Sequence, residues 1–264
     1  MVEIYVINLA RRVDRLARMR DIAEALGFSF CVVSAVDSSA VDFDASYTSW
    51  QNKSGPTGAL GRGSVACALS HMLAWRSFTD GPRSTQGLHP EYAVILEDDV
   101  VLSADFVKVV EELKSCSMLG YGLLKLELGG PMAKGAFLGK KEPFNQVRSL
   151  RRAFQVLPDA AAYMLSRDTA RHLLTYADRI CVPIDHFLFY PIRDDRFHGT
   201  PYAVLDPAIA FQDRSLQSDI SSERYTDTRR ERDKLRFFYE LQQIPVALPS
   251  ILRGQVRFSK VTFR

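Results

Sequence analysis

Residues 92–99 read Tyr-Ala-Val-Ile-Leu-Glu-Asp-Asp, a largely apolar run that ends in three carboxylates. An unbroken apolar run of that length suits a strand covered on both faces, as in the parallel sheet of an α/β protein. A carboxylate next to such a run is costly unless something pairs with it. The run thus constrains fold and function together. It calls for a covered central sheet, with an acidic cluster at the C-terminal end of a strand, where open α/β sheets place their ligand crevice.

The rest of the chain agrees with that architecture. Ile4–Ile7 is another continuous apolar run, and Asn8–Arg12 turns out of it. From Val13 to Leu26 apolar residues follow a helical period, and Gly27 supplies the stop. Phe28–Val33 reads as a second strand, which completes a β-α-β opening. Residues 37–63, rich in Ser, Asp and Gly, read as an excursion or mobile loop. A helix is expected over 64–78, and another from an N-cap at Ser103 to Ser115. Leu123–Leu128 and Ala161–Leu165 read as strands, Arg167–Tyr176 as a helix, and 131–152 as a loop or hairpin. A further helix is expected over 226–243. We expect one catalytic domain, 1–220, followed by a basic C-terminal extension, 221–264, packed on it.

In a strand, Glu97 and Asp99 project to one side and Asp98 to the other. Clustered carboxylates raise one another's pKa unless a cation neutralises them. Oxygen ligands without His or Cys nearby in sequence suit Mg²⁺ or Mn²⁺ rather than zinc. Two readings fit the triplet equally: a divalent-metal site that bridges a diphosphate, or an exposed strand end beside a helix start. A net charge of +3 over 264 residues gives no argument for nucleic acid. Cys31, Cys67, Cys116 and Cys181 lie far apart without a CxxC pair, and read as buried, reduced thiols. With no signal peptide or membrane-spanning run in view, a cytoplasmic location is expected.

Four segments in order break the tie: VINLARRVDR (6–15), GSVACALSH (63–71), VILEDDV (94–100) and VPIDHFL (182–188). Together they resemble glycosyltransferase family 25, the lipopolysaccharide and lipooligosaccharide biosynthesis transferases that include β-galactosyltransferases. The resemblance covers residues 2–220. It implies a GT-A-type, Rossmann-like fold with a mixed, mainly parallel sheet. It also implies a divalent metal, Mn²⁺ or Mg²⁺, inversion at the anomeric carbon, and UDP-galactose as donor.

Carried onto this chain, the triplet matches the family's form of the DxD motif. Asp99 would ligate the metal, with Glu97 or Asp98 on the ribose or on metal-bound water. Asn8, Leu9, Arg11 and Arg15 match the opening pattern, where a backbone amide or an Arg could meet uridine or phosphate. Arg18 reads as part of a solvated helix face. Asp37 matches a uridine-contacting position, although Ser38 replaces the usual Gly. Ser70 and His71 are retained as donor-site contacts, while Ser64 and Ala66 replace the family's Glu and Gly.

Inverting transfer needs a carboxylate within reach of the acceptor hydroxyl. Asp185 is the first candidate for that base, against the alternative that it caps a helix. Asp159 is a weaker one. His186 is a candidate metal or phosphate contact, and Gln212 and Asp219 match a further family segment. The basic and aromatic run from Arg229 to Tyr239 could hold the enzyme at the inner face of a membrane, near glycolipid acceptors, or form an ordinary surface helix. The competing functional readings are a nucleotidyltransferase or phosphohydrolase built on the same acidic site, or a catalytically degenerate nucleotide-sugar-binding module.

Overall fold

The structure is a computed structural model that describes residues 2–51, 53–56, 58–81, 90–128, 135–190, 197–216 and 244–263. The expected helix at 226–243, its basic run and Asp219 lie outside these residues. The chain opens with β1 (Val2–Asn8), α1 (Val13–Leu26), β2 (Cys31–Ser34), α2 (Phe43–Gln51) and a small hairpin of β3 (Ser54–Gly55) and β4 (Gly58–Ala59). There follow α3 (Arg62–Asp80), β5 (Tyr92–Glu97), β6 (Val100–Leu102), α4 (Phe106–Ser115), β7 (Leu123–Lys125) and β8 (Glu127–Leu128). Then come β9 (Ala136–Gly139), β10 (Glu142–Pro143), β11 (Ser149–Arg152), β12 (Ala162–Ser166), α5 (Arg167–Leu174) and α6 (Ile184–Leu188). Strands β13 (Tyr202–Asp206) and β14 (Ala210–Gln212), a helix Ile244–Leu252 and β15 (Val256–Ser259) complete the described elements.

Eight strands form the central sheet in the order β10-β11-β13-β7-β12-β5-β1-β2. β5 pairs parallel with β1, and β1 with β2, while β12 is antiparallel to both β5 and β7. Only β11 and β12 run against the common direction, so the sheet is mixed and mainly parallel. The apolar run of β5 is explained by cover on both faces. Val94 and Leu96 pack with Met19 of α1 and with Phe106 and Val110 of α4. Ala93 and Ile95 point the other way, into a cluster with Trp75 and Phe78 of α3 and Tyr163 of β12. Neither face leaves room for a polar alternation. The chain leaves β1 toward β2 on one side and returns to β5 on the other. This is a topological switch point, and it opens a crevice beyond the carboxyl ends of those strands.

Three local expectations need correction. Residues 37–63 are not a bare loop: they contain α2 and the β3–β4 hairpin. Phe43, Tyr47 and Trp50 recur at helical spacing and turn inward, and Phe43 and Trp50 are buried. Ser103 does not cap α4. Asp105 holds that position, and Arg148 and the Ser103 hydroxyl engage its carboxylate. The cysteines are not uniformly buried either, since Cys31 is exposed on the edge strand β2 and Cys67 and Cys116 are half-buried. Gly27 does stop α1 as expected, with φ +75° and the Phe28 N–H closing on the Ala23 carbonyl. At the far end of the chain, β15 pairs antiparallel with β9, and the Ala208 N–H reaches the Thr262 carbonyl.

Candidate active site

A cavity of about 180 Å³ lies at the switch point. Its walls are the ends of β1 and β5, the first turns of α3, the segment around Asp159, the start of α6, and Gln212 from β14. Strand β5 stops at Glu97, so Asp98 and Asp99 sit on the turn into β6 rather than on a continuing pleat. The expected separation still appears. Glu97 and Asp99 meet at one amide, with Gln212 Nε2 at 3.5 Å from Glu97 Oε2 and 3.1 Å from Asp99 Oδ2. Asp98 turns away to Asn8 Nδ2 at 2.7 Å and Arg15 Nη1 at 2.8 Å.

Asp98 and Asp99 differ in how they are satisfied. Asp98 and Arg15 form a buried ion pair, backed by Asn8. Asp99 is buried as well, yet its Oδ1 has no hydrogen-bond partner, and Arg15 stands 3.9 Å from its Oδ2. Burial and the neighbouring Glu97 carboxylate push its pKa up to about 7, against the hydrogen bond from Gln212. A buried carboxylate oxygen without a partner, beside a second carboxylate, is a donor set that fits a hard divalent cation.

His71 reaches this wall from α3. Its Nε2 lies 3.3 Å from Glu97 Oε1, and its Nδ1 lies 2.9 Å from the Tyr163 hydroxyl. That hydroxyl also accepts the Trp75 indole N–H at 2.8 Å. Burial lowers the His71 pKa to about 4, so the ring is neutral and orients Glu97 without a charge of its own. Ser70, one residue earlier, ties the strand exit to the helix: its hydroxyl accepts the Val36 N–H and donates to the Ala66 carbonyl.

The opposite wall carries Asp185, the second residue of α6. Pro183 is the cap of that helix, so Asp185 is not. Its Oδ2 accepts the Asp159 N–H and its Oδ1 the His186 N–H, both at 2.9 Å. Burial opposes ionisation there, but nearby His186 and these two backbone N–H groups outweigh it and lower the pKa. Asp159 has φ +70°, a left-handed backbone that Asp tolerates better than most residues. Its carboxylate takes Arg214, and its carbonyl accepts the Lys125 ammonium.

Of the residues expected from sequence, Leu9, Arg15, Ser70, His71, Glu97, Asp98, Asp99 and Asp185 line the cavity. Asn8 stands directly behind it, holding Asp98. Arg11 and Asp37 pair with each other outside the lining, and Ser39 adds hydrogen bonds to Asp37. Burial opposes ionisation of Asp37, yet Arg11 and Ser39 lower its pKa to about 2. Ser38 sits without left-handed backbone, so its side chain costs no strain. Of the expected ligand set, Asp99 and Glu97 line the cavity and His186 is not among the lining residues. Among the described residues, the histidine beside Glu97 is His71. Arg18 is no idle surface charge: it donates to the Val100 carbonyl and lies 3.7 Å from Asp213.

Sequence reasoning left Gln212 without a role and missed the buried pair Lys125–Glu127, which supports the far wall. Lys125 Nζ meets Glu127 Oε1 at 2.9 Å, and the same oxygen accepts the Ala161 N–H. The signal available was a Lys and a Glu two apart in an apolar strand, both pointing one way.

Residues 1–130 match the sequence model of "Glycosyltransferase family 25 (LPS biosynthesis protein)". Residues 1–130 are thus similar to glycosyltransferase family 25. A relative from Bos taurus, "Probable inactive glycosyltransferase 25 family member 3", is 30% identical over 218 residues, 76% of this chain and 33% of that protein. The protein of the same name from Rattus norvegicus is 31% identical over 222 residues, 76% of this chain and 34% of its own. The chain therefore spans about a third of the length of the curated relatives it matches. Among solved structures, a glycosyltransferase involved in the glycosylation of the major capsid of PBCV-1 aligns with a TM-score of 0.41 at 11% identity, covering 89% of this chain and 98% of its own.

Proposed function

We propose that this chain is a metal-dependent, inverting hexosyltransferase. It would move galactose from UDP-galactose to a hydroxyl of a lipopolysaccharide, lipooligosaccharide or other surface glycan. The observation that carries the reading is the Asp99 carboxylate, buried in the cavity with one oxygen unpartnered and Glu97 beside it. Asp99 and Glu97 would hold Mn²⁺ or Mg²⁺, which when bound offsets the charge gathering on the UDP leaving group. Gln212 keeps the two carboxylates facing one point, and the Arg15–Asp98 pair anchors the turn that carries them. Asp185, kept ionised by backbone N–H groups on the opposite wall, would accept the proton of the acceptor hydroxyl. Galactose as the sugar and a surface glycan as the acceptor rest on the family resemblance.

A second reading is a donor-binding module that no longer catalyses. Ser64 and Ala66 stand in the cavity lining where many family members carry Glu and Gly, and the mammalian relatives carry the name "probable inactive". Intact Asp99, Glu97 and Asp185 favour the enzyme. A thermal-shift panel of nucleotide sugars with and without Mn²⁺, followed by assay of UDP release, separates the readings. The transferase predicts Mn²⁺-dependent stabilisation by a UDP-hexose together with UDP release. Stabilisation without release supports the module. A response to nucleoside triphosphates with pyrophosphate release would point to a nucleotidyltransferase, and no response to any nucleotide sugar overturns both donor-binding readings.

A further inference from the structure

We propose that Cys67, His71 and Glu97 form a second cation site in the same cavity, one for a thiophilic divalent ion such as Zn²⁺. Cys67 and His71 are four residues apart on α3 and so share a helix face. Glu97 meets that face from the end of β5. One ligand atom from each of the three lies within 4.8 Å of the others, and all three residues line the cavity. A tetrahedral zinc with nitrogen at about 2.1 Å and sulfur at about 2.3 Å spaces its ligands roughly 3.5 Å apart. His71 Nε2 and Glu97 Oε1 already stand at 3.3 Å, so closure needs only a small movement of the Cys67 side chain. The outer contacts suit a metal-binding imidazole, since Nδ1 faces the Tyr163 hydroxyl and leaves Nε2 directed at the site.

Binding would form a sulfur–metal bond as the Cys67 thiol gives its proton to solvent, with His71 and Glu97 as the remaining protein ligands. The donor set, one thiolate, one imidazole and one carboxylate, prefers Zn²⁺ or Co²⁺ over Mn²⁺ and Mg²⁺. Glu97 belongs to both sites, so an ion held by Cys67 would compete with the donor's cation. That competition, unlike the binding itself, rests on the transferase reading.

The test is titration of the full chain with Co²⁺ in the presence of a non-thiol reductant, followed by thiolate-to-cobalt charge-transfer absorption. One band, saturating at one cobalt per chain, is expected. Zn²⁺ should abolish it, whereas excess Mn²⁺ should not. Cys67→Ala should remove the band while Cys31→Ala and Cys116→Ala keep it, and Cys67→Ser serves in its place if the alanine variant misfolds. Absence of the band, or its survival without the Cys67 thiol, overturns the proposal. The readout is independent of turnover. A chain that binds cobalt but releases no UDP keeps this site and loses the transferase reading; an active chain without the band loses this site alone. In an active chain, Cys67→Ala should raise the Zn²⁺ needed for half-inhibition by at least about tenfold, the low end of what losing even an outer partner of a metal costs.

Discussion

The two walls of the cavity hold carboxylates in opposite ways. On the β5 wall, Asp99 is buried with an unpartnered oxygen beside Glu97, and its pKa rises to about 7. On the α6 wall, Asp185 accepts two backbone N–H groups, and its pKa falls. The first arrangement leaves a carboxylate oxygen open, whereas the second is satisfied by the backbone. Paired carboxylates driven apart by their surroundings mark a division of labour. On the proposed function, the division is between holding a charged donor and removing a proton from the acceptor.

The sharpest break would come from Asp99→Ala, which should bring Mn²⁺-dependent UDP release to background in a chain that still unfolds cooperatively. Full activity in that variant would sink the division. Next, Asp185→Asn should lower kcat by about 10²–10⁴-fold, the usual contribution of a positioned base, with Mn²⁺-dependent UDP-hexose binding retained. Loss of donor binding in step with transfer would assign Asp185 to the donor side instead.

Arg15→Met tests whether Asp98 is part of the frame. Removing one partner of a buried ion pair should destabilise the chain by about 3–5 kcal/mol in a denaturant titration. A double variant, Arg15→Met with Asp98→Leu, should recover much of that loss, because no buried charge is then left unpaired. Equal instability in the single and double variants would mean that the pair itself contributes little.

The walls should also differ in pH dependence. A carboxyl raised from 3.8 to about 7 keeps its proton in the folded chain over a range where the unfolded chain has lost it. The metal-free chain should therefore lose stability from this group as pH rises from about 4 to about 7, and level off above. Asp185 has the opposite sign: its contribution is present above the ordinary carboxylate range and is lost as pH falls below it. Unfolding midpoints across pH, for the parent chain and Asp99→Asn, check this: the decline between pH 4 and 7 should shrink in the variant. Mn²⁺ stabilisation should grow over the same interval, since the cation must displace that proton.

The strands of this wall were legible because their signal is local. Four or five consecutive apolar residues, as in β1, β5 and β12, can be satisfied only between two covered faces. Gly27 ended its helix for an equally local reason, a left-handed backbone. Residues 43–50 were misread because Ser, Asp and Thr between Phe43, Tyr47 and Trp50 masked a helical period that is nevertheless present. The histidine beside Glu97 was not legible in the chain for a different reason. His71 and His186 both stand in family-like segments, and only helix orientation puts His71 beside Glu97.

By itself, then, the sequence determined the covered sheet, the position of the acidic turn at a strand end, and the likeness to a known family. Each of these depends on neighbours in the chain. Which aspartate is locked and which is left open was decided by residues more than eighty positions away. Arg15 and Asn8 close on Asp98, and Gln212 reaches Asp99 from β14. A carboxylate's role follows from what satisfies its oxygens, and here that is set by tertiary packing around the switch point.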